Sequence, residues 1–222
     1  MKFIDRYRSS DELPQRLPVF PLAGALLLPR AELPLSIFEP RYLDMVNDAM
    51  AGDRLIGMIQ PVLESEKDER PALMGIGCAG RITAYAETPD SRILLTLTGV
   101  SRFAIREELD TDTAYRQVIA DFRPFAVDLV SDLGANEVNR PALLKAFRDY
   151  LNANDMNADW VQVDAASTEV LVNTLSLLAP YPAKEKQALL EAPDLKTRAD
   201  VLVALTEMAL ARTVGGSRSR LQ

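Results

Sequence analysis

Apolar residues alternate with polar ones along the first half of this chain and recur at three and four along the second. In the stretch from Arg92 to Leu109, Ile93, Leu95 and Leu97 alternate with Leu94, Thr96 and Thr98, which predicts a strand with one apolar and one mixed face. Met74 to Thr88 is its partner across a Pro89-Asp90 turn, and Arg54 to Gln60 and Tyr115 to Phe122 complete the longer strands. The densest apolar segment runs from Leu17 to Val46. Its runs Pro18 to Leu22, Ala25 to Leu28 and Leu33 to Phe38 are each of strand length and each broken by proline or glycine, so the segment reads as strand, turn, strand, then helix. At Glu39-Pro40 the period changes. Pro40 suits the first helical position, Tyr42, Met45, Val46, Ala49 and Met50 form a helical stripe, and Gly52 falls where a left-handed cap would end it.

Beyond Pro124 the helical period takes over. Leu143, Leu144, Phe147, Tyr150 and Leu151 follow Pro141; Ser167 caps a helix that Pro180 stops; Pro182 opens another; and Asp194 caps a last one facing Leu195, Ala199, Leu202, Leu205 and Ala209 one way. Strands followed by helices predict an α+β protein, divided into a β-rich part over residues 1–124 and a helical part over 125–222 with a flexible Gly-Gly-Ser tail. The charged run Glu64 to Arg70 between Pro61 and Pro71 is expected to be a solvated loop.

Composition then removes whole classes of chemistry. The 222 residues contain no histidine, which excludes Ser-His-Asp and Cys-His nucleophiles and His-ligated metals, and the lone Cys78 admits neither an intrachain disulfide nor a thiolate cluster. Gly75, Gly77 and Gly80 lack the following helix and the Lys-Ser/Thr of a phosphate loop, so bulges or close strand approach account for them. Ser65 with Lys67 lies in the charged run, and Glu107, Glu108, Asp110 and Asp112 flank a turn; neither group predicts a catalytic site. No cofactor and no metal is expected. A net charge of −7 weighs against phosphate backbones and anionic lipid. Acidic residues and prolines interrupt any signal-peptide pattern, and no apolar run reaches the roughly 18 residues of a membrane span, so the expectation is a cytoplasmic protein.

Three ordered motifs carry a resemblance. FPL, then LP, then LPLSIFEPRY before a short helix resembles the opening of the substrate-binding N-terminal domain of Lon ATP-dependent proteases and of free-standing bacterial proteins made of that domain; TGVSRFAI (Thr98 to Ile105) and PAKEKQALLEAPDLKTRADVL (Pro182 to Leu202) are similar to its glycine turn with an R-F strand and to its helical segment. Arg30 stands where the family commonly has glycine, and Ser36 where it commonly has histidine. The resemblance implies a PUA-like β pseudobarrel followed by a small helical bundle. It also implies a non-enzymatic module that binds unfolded or extended polypeptide, without the Walker-loop ATPase or the Ser-Lys protease domain; a monomer or weak dimer is expected. RNA binding through the PUA-like fold is the alternative, and the acidic charge weighs against it.

Within IFEPRY the local rules point first to architecture: Glu39 at the helix N-terminus, Pro40 at its first position, and Arg41 bonding across the strand-helix junction. For binding, the candidate residues are Phe38 and Tyr42 together with an apolar rim of Leu26, Leu28 and Pro29, because an unusually apolar turn region is the signature of a recognition surface.

Overall fold

The computed structural model describes residues 7–62 and 70–219, with side chains of the last helix described as far as 212. The Ser65/Lys67 pair, residues 1–6 of the leader and residues 220–222 lie outside the described residues.

Six strands carry the β part: β1 (Arg16–Pro21), β2 (Glu32–Ile37), β3 (Leu55–Ile59), β4 (Ile76–Glu87), β5 (Ile93–Leu109) and β6 (Arg116–Asp121). Their order is β2-β5-β4-β3-β1-β6, and β5 pairs with β6 as well, so five strands close into a ring with β2 outside it. The length of β5 makes this closure work. Its first residues, Ile93 to Thr98, pair antiparallel with β2, and its last, Ala104 to Leu109, pair antiparallel with β6. Register shifts at Ala79/Gly80 and Ile82/Ala84 in β4 and at Ile105/Glu107 in β5 supply the bends that a flat sheet would lack. The ring is filled by Leu17, Val19, Leu55, Val100, Phe103 and Val118. Gly77 is a close-approach glycine there, since a Cβ on it would come within 2.7 Å of the Phe103 ring.

Helix α1 (Pro40–Ala51) follows β2 and buries Tyr42, Met45, Val46 and Ala49, the stripe its period predicts. Its end differs from expectation. Gly52 sits at φ −110°, and the left-handed residue is Arg54 at φ 59°, whose N–H returns to Ala49 O at 2.8 Å. After β6 the chain passes through a 3-10 segment, Arg123–Leu129, into α2 (Arg140–Ala153), α3 (Trp160–Ala165), α4 (Thr168–Leu178), α5 (Ala183–Glu191) and α6 (Leu195–Ser219). The Ser167 hydroxyl accepts from Val170 N at 3.4 Å and the Asp194 carboxylate from Thr197 N at 2.7 Å, the two caps the sequence predicts. Helix α6 takes in Gly215 and Gly216, where the sequence predicts a loose tail.

The run Leu26-Leu27-Leu28 is the main departure from the sequence reading. It is neither strand nor rim: all three side chains are 2% exposed or less, in the same apolar cluster as Leu171, Leu175, Leu189 and Leu202 of the helical part. Pro29 and Arg30, which follow the run, tie it to β5 and to α4. Arg30 N donates to Gly99 O at 2.8 Å, and the Asn173 amide of α4 donates to Pro29 O at 2.9 Å. Gly99 makes room for it: a Cβ there would lie 2.0 Å from Leu28 O.

Candidate functional site

Two regions of the surface gather groups that a ligand could meet. The first is the outward face of β2, β5 and β4. Side chains alternate along β2, so Leu33, Leu35 and Ile37 turn to the core while Glu32, Pro34 and Ser36 face out. The register sets Pro34 opposite Thr96 and Thr96 opposite Ala84; the next row is Ser36, Leu94 and Ala86. These two rows carry no charge. They border a shallow trough of about 470 Å³ on which Leu94 is 47% exposed. Phe38, the residue after β2, is 61% exposed, and its ring lies 5.4 Å from the Arg92 guanidinium. On its other side β2 has no strand neighbour among the described residues, and Pro34 removes one backbone donor from that edge.

Of the residues the sequence puts forward for binding, Phe38 alone is exposed. Leu26, Leu28 and Pro29 are buried under the helical part, and Tyr42 is buried against Phe20, ring centroids 4.2 Å apart. An apolar turn and an apolar plug look the same along the chain; the helices that cover this one come about 140 residues later, as the Pro29 to Asn173 bond shows. Burial also pushes the Tyr42 hydroxyl up from its ordinary pKa, partly opposed by Arg41. Arg41 lies 4.5 Å over that ring and donates to Glu39 at 2.8 Å. Glu39 is the N-cap residue of α1 with no side-chain bond to the helix, and Pro40 holds the first position as predicted. Arg41 and Tyr42 border a separate, mixed hollow of about 610 Å³ with Leu22 and Tyr115.

The second region is the seam between the ring and the helices, where the sequence reading placed no polar group. Arg102 of β5, 1% exposed, donates from Nε and Nη2 to both oxygens of Asp128 at 2.9 and 2.8 Å, and from Nη1 to Leu190 O at 3.1 Å. Arg30, at φ 64°, pairs with Glu169 of α4 and donates to Asp128 O at 2.7 Å. Arg198 of α6 donates to Leu189 O and to Asn173 Oδ1 at 2.9 and 3.1 Å. One signal was available: Arg198 falls on the Leu195-Ala199-Leu202 stripe that α6 turns to the core. Among the described residues, no group of three or more His, Cys, Asp or Glu is placed to hold a metal, and no helix is long and apolar enough to cross a membrane.

Comparison with known proteins agrees with this architecture. The model of the ATP-dependent protease La (LON) substrate-binding domain matches residues 16–207. The chain belongs to the Lon substrate-binding domain family. Among curated relatives, the Lon protease of Flavobacterium johnsoniae is 28% identical over 195 residues, covering 86% of this chain and 24% of that protease. The Lon protease of Desulfosudis oleivorans is likewise 28% identical, over 86% of this chain and 23% of its own length. This chain therefore spans about a quarter of the Lon proteases it matches. Two solved structures share the fold: a Lon N-terminal domain protein from Xanthomonas campestris (TM-score 0.61, 23% identity) and the N-terminal domain of Mycobacterium avium complex Lon protease (TM-score 0.64, 16% identity). Each alignment covers 86% of this chain and 98% of the other. The α+β class expected from the pattern and the β barrel followed by helices expected from the resemblance are the architecture observed.

Proposed function

We propose that this chain is a non-enzymatic module that recognises extended, unfolded polypeptide, and that the two uncharged rows on the outer face of β2, β5 and β4, with Phe38 beyond them, are where the polypeptide lies. The observation that carries the reading is the pair of chargeless cross-strand rows, Pro34-Thr96-Ala84 and Ser36-Leu94-Ala86, beside a strand with one open edge. On a protein with 26% charged residues such a face is out of keeping with a surface that meets only water. The substrate-binding domain of the family supports polypeptide as the occupant. Binding would rest on apolar side chains, with Phe38 and Leu94 as anchors, while Pro34 limits runaway pairing along the edge.

A small preformed face of this kind predicts micromolar affinity, about −8 kcal/mol, with weak dependence on salt. Titration of a labelled unfolded peptide against wild type, Leu94→Asp and Phe38→Asp at two salt concentrations tests it. Both variants are expected to bind at least tenfold more weakly with unchanged melting temperatures. Equal affinity in all three proteins would place binding elsewhere, and a steep loss of binding with salt would point to nucleic acid.

A further inference from the structure

A cavity of about 250 Å³ opens at the seam between ring and helices, smaller than the roughly 300–1,000 Å³ of pockets that enclose whole small molecules. Arg198 lines it, and this side chain is the anomaly of the seam. Its residue is 4% exposed, Nε and Nη1 are bound to Leu189 O and Asn173 Oδ1, and Nη2 is buried with no hydrogen-bond partner among the described residues. Both partners are neutral. Three carboxylates around the cavity are already engaged, Asp128 by Arg102, Glu169 by Arg30 and the Asp132 N–H, and Asp194 by the Thr197 N–H, whereas Glu137 lies near Lys196, itself paired with Asp200. Burial, and then the neighbouring Arg102, hold the Arg198 pKa down to about 10 against the smaller opposing pull of Asp128 and Glu169, so the group still carries its charge at neutral pH. A buried cation bound only by neutral acceptors is costly unless an anion completes it.

The mouth of the cavity has a different character. Val127, Val130 and Leu133 line it and are about half exposed, at 48%, 53% and 51%. We infer that this cavity is a carboxylate subsite, in which Arg198 receives the C-terminal carboxylate of a polypeptide and the Val127, Val130 and Leu133 rim receives the apolar side chain of its last residue. An inorganic anion would leave the three aliphatic side chains in water, and the volume suits a single terminal residue better than a longer segment. The choice of polypeptide as the source of the carboxylate rests on the function proposed above; the carboxylate chemistry does not.

The test uses the whole 222-residue chain with N-acetyl-leucine, N-acetyl-leucinamide and inorganic phosphate as probes, and a labelled unfolded peptide ending in leucine as free acid or amide. The acids are expected to bind at least tenfold more tightly than the matching amides, and phosphate more weakly than N-acetyl-leucine. Leu133→Asp, on an exposed position that leaves the seam intact, is expected to weaken N-acetyl-leucine binding at least fivefold; Arg198→Met, if it folds, abolishes the difference between acid and amide. Acid and amide binding alike, or no binding of N-acetyl-leucine, would overturn the subsite. Phosphate binding as tightly as N-acetyl-leucine would overturn its identity as a terminal-residue site. Binding of N-acetyl-leucine without binding of either peptide would uphold the carboxylate site and sink the polypeptide reading instead.

Discussion

Arg30 holds Glu169 from a backbone conformation that favours glycine: its φ is 64°, and its guanidinium crosses from the turn before β2 to the first turn of α4. Both side chains are nearly buried, at 12% and 9% exposure. The ion pair therefore sits on a strained residue and ties the ring to the helices.

Removing the pair and removing the strain are separable. Arg30→Ala loses the pair and keeps a side chain in the left-handed region, whereas Arg30→Gly loses the pair and sheds the strain. Both are expected to fall about 3 kcal/mol below wild type in urea unfolding, with the glycine variant above the alanine variant by about 1 kcal/mol. An alanine variant as stable as the glycine one would show that the backbone carries no strain at this site.

Asp128 and Glu39 each pair with an arginine, and burial separates their worth. Asp128→Asn takes the counter-charge from Arg102 inside the seam and should cost about 3–5 kcal/mol. Arg41→Ala breaks a pair whose side chains are 51% and 43% exposed, and should cost about 1 kcal/mol or less. Chemical denaturation of the two variants checks the order; a larger loss for Arg41→Ala would reverse it.

Gly99 and Gly75 give a matched test of close approach. A methyl group at Gly99 meets Leu28 O at 2.0 Å, and one at Gly75 meets nothing within 4 Å. Gly99→Ala is expected to lose about 3 kcal/mol or more, and Gly75→Ala to be neutral or to gain about 0.5 kcal/mol. Leu28→Asp, which buries a carboxylate in the same place, should fail to fold rather than lose a ligand. Circular dichroism melts of the three proteins decide this, and a native-like melt for Gly99→Ala would contradict the packing.

Tyr115 donates to Asp48 Oδ2 at 2.7 Å, and burial, then this bond and the Asp48 charge, push its pKa up from 10.0 to about 12. The folded state keeps the phenol proton longer than the unfolded chain does. The resulting stability is fully present below pH 10 and is lost as pH rises towards about 12. The difference in unfolding free energy between wild type and Tyr115→Phe should shrink across that window. A difference that stays constant from pH 9 to 12 would remove the linkage.

What could be read along the chain and what could not follows from the range of the interactions. Pro40, Ser167 and Asp194 announce helix starts because a cap acts within three residues of itself, and the alternation in β4 and β5 shows because a strand face repeats every second residue. Leu26 to Leu28 carried the same apolar signal as a strand, yet the cluster it packs into includes Leu171, Leu175, Leu189 and Leu202, far along the chain. The buried arginines were hidden for another reason. Arg102 lies in an apolar strand and Arg198 on an apolar stripe, and residue type alone assigns arginine to solvent.

The lone outer position of β2 sets a clock as well as a face. Every strand of the ring has two neighbours within it, so none can leave without opening the closure, whereas β2 is released by breaking a single ladder to the first residues of β5. Its amides therefore exchange with solvent through a smaller opening than those of Val100 or Phe103, and they do so while the barrel stays shut. A client held against β2 would slow that opening and leave the exchange of the ring amides as it was.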